Sequence, residues 1–519
     1  MDLSTRVASV LRLDPNAHAI SQDGRWDTWG DLTRLGDNLS AVMSSLRDLP
    51  QDGYLALVSR NDTATVATLL WALSEARPLL LLNNMQPDAA LSAEITELRP
   101  AVIAAVQTDW DRPGVLDAAR GIGAAAVRLE RGPAASATVL AAAEPGRDLA
   151  GTETAPGCAV SLKTSGTTGT PKRIEITRSA LSASIEAVDR HHNKKGSGDA
   201  VALRTGVTIQ MLPLAHSSAI QSICVTVAAG RRLALLERFE PIAWSKAVRD
   251  HQVVTTGVPP AALRMILDAD IDPSWLASLR AARAGSAPLD PALAEEFENR
   301  FDVAVLQAYG ATEMQGLASW TLKDHKRLSK IKKGAVGRLH PGVEVRVIDQ
   351  ATEAELPVGS VGLLEVRTAQ AVGAGDAADW IRTSDLARYD EDGFLWIVGR
   401  ADGAINRGGF KIDPGELAAL LRSHPAIADA VVVGLPDPRL GQVPVAAVEP
   451  SPGAEPPEEA ELAGWLRERV EAYKVPRVIE VVDTLPRTVA LKPDGQAVRA
   501  LLAERLSTPG PAVALQRSE

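Results

Sequence analysis

The chain has 519 residues, more than one ordinary hydrophobic core holds, so at least two domains are expected. It is 45% hydrophobic and 23% charged, and no apolar run reaches the ~18 residues of a membrane span. A formal charge of −10 disfavours nonspecific nucleic-acid binding, and two cysteines, Cys158 and Cys224, rule out a disulfide framework. The opening Met1-Asp2-Leu3-Ser4-Thr5-Arg6 lacks a signal peptide's basic-then-apolar pattern, so a cytoplasmic protein with no membrane span and no nucleic-acid partner is expected.

Residues 1 to about 150 alternate helical and strand patterns. Leu32, Leu35, Leu39, Val42 and Leu46 recur at helical spacing behind Trp29, and Asn61-Asp62-Thr63 reads as a helix cap. Tyr54 to Val58 and Ala76 to Leu82 read as buried strands. Repeated alternation of this kind predicts a largely parallel sheet covered by helices.

Ser161 to Thr177 then reads strand, loop, strand. Gly166 and Gly169 allow positive φ and present N–H groups, while Thr164, Ser165, Thr167, Thr168 and Thr170 add hydroxyls. Lys172 places a cation at the exit, so the loop suits nucleotide phosphates; a polar hairpin is the plain alternative. A Walker loop is excluded, because the glycines lie three apart and Lys172 leads into a strand. The stretch resembles, almost letter for letter, the phosphate loop of the adenylate-forming superfamily, which includes acyl- and aryl-CoA synthetases.

That resemblance extends along the chain. Met211 to Ser218 is similar to a Pro-Leu-x-His segment, which implies that His216 borders the carboxylate substrate; a buried structural histidine at a strand end is the alternative. Its neighbours are small or apolar, and no acid occurs between His216 and Glu237, so a free amino acid would bury its ammonium without a counter-charge. Gly285, Ser286 and Ala287 resemble a Gly-Gly-Ala-Pro strand end with serine in place of one glycine. Tyr309-Gly310-Ala311-Thr312-Glu313 matches the superfamily's Tyr-Gly-x-Thr-Glu. There Tyr309 would face adenine, Gly310 would permit close backbone approach, Thr312 would donate to the α-phosphate, and Glu313 would hold Mg²⁺.

Thr383-Ser384-Asp385 is similar to Thr-Gly-Asp, making Asp385 the implied acceptor for ribose hydroxyls, with a turn aspartate as the alternative. Arg400 is implied at ribose or phosphate, and Asp402 at the hinge. Beyond it, Gly408 and Gly409 would line a pantetheine tunnel, with Lys474 on the CoA side. The paired His191-His192 reads as a helix end, since no ligand set converges on it, and the basic run Lys323 to Lys333 reads as a solvated loop, with a contact to a CoA phosphate as the alternative. The last motif, Pro-Arg-Thr-x-x-Gly-Lys, departs from pattern. Lys492 keeps the register as the implied catalytic lysine, but Leu491 replaces the glycine.

The expected architecture is α/β: a large N-terminal domain of several subdomains (residues 1–400), with parallel-rich sheets and a β-rich segment. A small mobile α+β domain (401–519) follows. The expected activity is an acyl-CoA ligase that uses ATP, Mg²⁺ and coenzyme A to convert a hydrophobic carboxylic acid through acyl-AMP. The altered Lys492 loop puts adenylation in question and leaves open a separate adenylating enzyme that supplies the adenylate. Loading of a carrier protein and a non-catalytic nucleotide-binding role also stay open.

Overall fold

The computed structural model describes residues 2–46, 53–144, 155–164, 172–192, 201–287, 289–372, 379–401, 403–451, 453–486 and 494–507. Close contacts divide the chain into two compact units, one holding the described residues through Ala401 and the other those from Gly403 onward.

In the larger unit, a seven-stranded sheet runs in the order Ser136–Ala141, Ala125–Glu130, Val102–Val106, Leu55–Val58, Leu79–Leu82, Cys158–Thr164, Lys172–Thr177. Its interior pairings are parallel, and each outer pair is antiparallel. Leu55–Val58 and Leu79–Leu82 are buried at every position, as continuous apolar runs between helix layers require. The helices start where the sequence caps them. Thr28 and Asp31 form a reciprocal capping box on Trp29–Ser45, the Asp62 carboxylate accepts the Ala64 N–H ahead of Thr63–Ser74, and Thr177 Oγ1 accepts the Ala180 N–H ahead of Arg178–His192.

A four-stranded sheet joins Val207–Gln210, Arg232–Leu235, His18–Gln22 and Arg25–Thr28. A nine-stranded sheet begins with the parallel strands Thr255–Gly257, Ala281–Ala284 and Ala304–Ala311. It continues antiparallel through Gln315–Ser319, Gly337–Leu339, Phe394–Arg400, Ile381–Tyr389, Gly362–Thr368 and Val343–Ile348. The basic run expected as a loop contains a helix, Leu322–Leu328, capped by Thr321. Its charged surface carries no apolar period, so the cap was the only signal. Lys332 beyond it is tied to Asp390 and Asp392, both at 2.6 Å.

The smaller unit is α+β. Its five strands are Phe410–Ile412, Ile405–Arg407, Gly441–Pro450, Ile427–Asp437 and Ile479–Val481, packed with helices Pro414–Arg422, Glu459–Arg467 and Gly495–Ser507. Among the described residues no helix is long and apolar enough to cross a membrane.

Candidate nucleotide and acid site

One strand organises the larger unit's candidate site. The first half of Ala304–Ala311 pairs in parallel with Ala281–Ala284, and its second half pairs antiparallel with Gln315–Ser319, with a register shift between Tyr309 and Gly310. Crevices at the carboxyl ends of parallel strands are where open α/β sheets bind ligands. Gly285, Ser286 and Ala287 follow one such end, and Tyr309 to Glu313 occupy the next.

The glycines are dictated by crowding. A Cβ on Gly310 would lie 2.2 Å from the Gln315 carbonyl oxygen, and one on Gly285 would lie 3.3 Å from that of Ala308. The close approach expected at Gly310 is therefore an approach to the chain's own neighbouring strand. Ser286 adopts φ +66°, a left-handed conformation that glycine takes without strain.

Tyr309 does more than offer a ring. Its hydroxyl donates to Asp385 Oδ2 at 2.6 Å, and the Asp385 N–H donates to Thr383 Oγ1 at 3.0 Å. Asp385 is 8% exposed, and Arg400 stands opposite it in the strand ladder. Tyr309 and Asp385 thus meet at one point, with the Arg400 backbone in the neighbouring strand. Thr312 Oγ1 lies 3.1 Å from Ser217 Oγ, which brings the Pro-Leu-x-His segment against Tyr-Gly-x-Thr-Glu. His216 is half-buried and is the N-cap residue of helix Ser217–Ala228, not the end of a strand.

Glu313 is exposed, and its carbonyl accepts the Val372 N–H at 2.8 Å. Among the described residues no group of three or more His, Cys, Asp or Glu converges as a metal cage. A single exposed carboxylate fits Mg²⁺, which completes its shell with phosphate oxygens and water. Lys172 opens its strand on the exposed surface, paired with Thr164. Ser165, Gly166, Thr167, Thr168, Gly169, Asp402 and Lys492 lie outside the described residues.

A polar cluster that sequence reasoning missed lies beside this strand. The half-buried Gln221, one helical turn beyond Ser217, donates its amide N–H to Ser184 Oγ. His191 Nε2 is 3.0 Å from the Ser319 carbonyl, and the Ser319 hydroxyl is 2.8 Å from His340 Nε2. The His191 ring stands 4.5 Å from that of His340 and 5.1 Å from that of His192. Burial, with Arg283 adding like charge, holds both His192 and His340 down at about 3, so both rings are neutral. The Gln221 position follows from helical spacing after Ser217; nothing local marks His340.

The pattern of the AMP-binding enzyme family matches residues 8–374, and that of the AMP-binding enzyme C-terminal domain matches residues 416–492. The chain belongs to the AMP-binding enzyme family. This AMP-binding enzyme is 34% identical to 4-coumarate--CoA ligase-like 9 of Oryza sativa subsp. japonica over 63% of its own length and 61% of the relative's, so the match spans less than two thirds of that protein. Among solved structures, the amide bond synthetase McbA from Marinactinospora thermotolerans superposes with a TM-score of 0.81 at 26% identity, covering 96% of this chain and 99% of McbA. A malonyl-CoA ligase complex with methylmalonyl-CoA and AMP gives 0.72 at 26% identity, over 92% and 99%.

In the smaller unit of this AMP-binding enzyme, Gly408 and Gly409 form the two-residue turn between Arg407 and Phe410, with φ +60° and +96°. Positive φ at both positions is what this tight hairpin requires. The hairpin is braced from behind. Arg407 donates to the Tyr473 carbonyl at 2.5 Å, and the Phe410 and Tyr473 rings sit 4.2 Å apart. Lys474 is 6% exposed, with its ammonium 3.2 Å from Glu416 and 3.0 Å from Glu471. Burial alone would lower its pKa, but the two carboxylates outweigh it and hold the lysine charged. Its ammonium is thus committed within the unit.

Proposed function

We propose that this chain is an AMP-forming acid–thiol ligase acting on a hydrophobic carboxylic acid. The observation that carries the reading is the Tyr309–Asp385 hydrogen bond, with Arg400 opposite Asp385 in the strand ladder, beside the Thr312–Ser217 contact; it supports a nucleoside site next to an acid site. In the first half-reaction a carboxylate oxygen attacks the α-phosphorus of ATP, and pyrophosphate leaves. In the second, the CoA thiol attacks the acyl carbon, the acyl–phosphate bond breaks, and AMP leaves.

Asp385 accepts the ribose hydroxyls, Tyr309 stacks on adenine, Thr312 donates to the α-phosphate, and His216 borders the acid. Gly285, Ser286 and Ala287 line the adenine side. Lys172 and the loop from Thr164 to Gly169 hold the outer phosphates. Glu313 would hold Mg²⁺, which supplies charge neutralisation on those phosphates. Lys492 steadies the first transition state, and Asp402 is the pivot that exchanges it for the Gly408–Gly409 loop. Positioning and charge stabilisation carry the catalysis.

Leu491 weakens the first half-reaction. If the family glycine there has φ > 0, leucine costs roughly 1–2 kcal/mol or moves the lysine loop. A misplaced donor to developing charge lowers the rate on the order of 10²–10³-fold. Pyrophosphate exchange with the cognate acid should therefore be slow, while AMP release from supplied acyl-AMP plus CoA stays fast; A490T/L491G should raise exchange. Exchange at the speed of ordinary acyl-CoA ligases would refute the weakening. No AMP release from acyl-AMP would refute the ligase reading.

A second acceptor is favoured by the likeness to McbA and by the neutralised charge of Lys474: an amine in place of CoA. Supplying amines with acyl-AMP and measuring amide against thioester decides between them.

A further inference from the structure

The two strands that flank the phosphate loop carry an arrangement that the ligase reading does not use. Lys163 and Arg173 stand directly opposite each other across the antiparallel pair, one step back from the Thr164–Lys172 pair that leads into the loop. Two cations in facing register repel and loosen a ladder at that point. Both turn to the same carboxylate. Glu94, on helix Asp88–Leu98, has a side chain only 5% exposed, and its Oε1 lies 2.8 Å from Arg173 Nη2 and 3.6 Å from Lys163 Nζ.

The carboxylate is itself held in place. The Gln86 amide donates to Glu94 Oε2 at 2.7 Å, and the Arg112 guanidinium donates to the Gln86 carbonyl at 2.5 Å. Arg173 also reaches the Leu81 carbonyl at 3.4 Å, so its strand is tied both to the helix and to the sheet interior. The half-exposed Lys163 ammonium meets only Glu94 among the described residues. Side chains alternate along a strand, so Lys172, next to Arg173, faces the side of the hairpin away from Glu94.

We propose that Glu94 is a positioning residue for nucleotide phosphates: it neutralises the facing Lys163–Arg173 pair, closes the stem of the phosphate loop and thereby aims Lys172. This assignment rests on the reading of Lys172 as a holder of the outer phosphates and names what fixes it there. Without Glu94 the two facing cations push the stem apart, and Lys172 moves with its strand.

The test is calorimetry on the full chain, comparing AMP with the magnesium complex of α,β-methylene-ATP, which carries the outer phosphates and does not turn over. Glu94→Gln keeps an acceptor for Gln86 and removes the charge. The expected result is an about 10-fold or greater loss of affinity for the ATP analogue with AMP affinity unchanged, because AMP lacks the phosphates that Lys172 meets. Lys163→Gln removes the repulsion and leaves Glu94 with Arg173, so it should bind both nucleotides as the parent does. Glu94→Gln/Lys163→Gln should recover most of the lost affinity. Unchanged analogue binding in Glu94→Gln, an equal loss for AMP, or no recovery in the double variant overturns the proposal. Weakened analogue binding in Lys163→Gln also overturns it, since Lys163 would then be a phosphate ligand itself. Lys172→Met separates the two readings. If it leaves analogue affinity unchanged, the phosphate reading falls and the role of Glu94 with it; if it weakens the analogue while Glu94→Gln does not, the role of Glu94 alone falls.

Discussion

Gly310 offers the sharpest test of the site's construction. In Gly310→Ala the new Cβ would sit 2.2 Å from the Gln315 carbonyl oxygen and 3.0 Å from both the Gln315 carbonyl carbon and Gly316 Cα. All three are backbone atoms, so no side chain can swing aside. Contacts below 3.0 Å essentially never occur, so the two strands must part by about 0.8 Å. Overpacking of this kind costs about 1–3 kcal/mol or more. The displaced segment carries Tyr309 and Thr312, and a misplacement near 1 Å lowers rate by roughly 10²-fold. Gly285→Ala grades the effect, since its Cβ meets Ala308 at 3.3 Å and a small shift relieves it; Gly206→Ala, with open space around it, is the control. Calorimetric AMP affinity should fall in the order Gly206→Ala, Gly285→Ala, Gly310→Ala. A Gly310→Ala protein that binds AMP as the parent does would refute the reasoning.

Three further outcomes follow from the geometry. Tyr309→Phe removes a hydrogen bond to a buried carboxylate worth about 1.5–3 kcal/mol, and AMP affinity should drop about 10-fold in titrations. Lys474→Met leaves Glu416 and Glu471 without their shared cation, which should destabilise the smaller unit by about 3–5 kcal/mol, read as early loss of amide protection in hydrogen exchange. His192 and His340 titrate near 3 when folded against 6.5 ordinarily. The unfolded chain therefore binds more protons between those values. Stability should fall as pH drops from 6.5 toward 3, by up to about 1.4 kcal/mol per pH unit for each ring. His340→Gln should flatten the melting-temperature slope in that window; an unchanged slope counts against a neutral His340.

What was legible in the sequence was local. The helix behind Trp29, the cap at Asp62, the buried run at Leu79–Leu82 and the strand–loop–strand around Thr164 all follow from spacing and side-chain chemistry within a few residues. The meeting of Tyr309 with Asp385 spans 76 residues and depends on how the nine-stranded sheet folds back, which no short-range pattern encodes. Motif resemblance supplied both residues but not the hydrogen bond between them. His340 carries no motif at all, and its neighbours come from a helix end and another strand. Lys474 shows the converse, because a lysine in a recognisable segment says nothing about whether a fold places two carboxylates around it.

The double pairing of Ala304–Ala311 also bears on how the two ligands sense each other. One short strand, clamped by a parallel neighbour on one side and an antiparallel neighbour on the other, carries Tyr309 and Gly310 and leads into Thr312, which touches Ser217 beside His216. With the nucleotide and the acid placed as proposed, one on each side of this contact, a shift at either side moves the other. On that assignment acid and nucleotide would be thermodynamically coupled, and the coupling is reciprocal: whatever factor a well-fitting acid adds to nucleotide affinity, the nucleotide returns to the acid. An ill-fitting acid is then discriminated against twice, once in its own pocket and once through a loosened grip on the nucleotide.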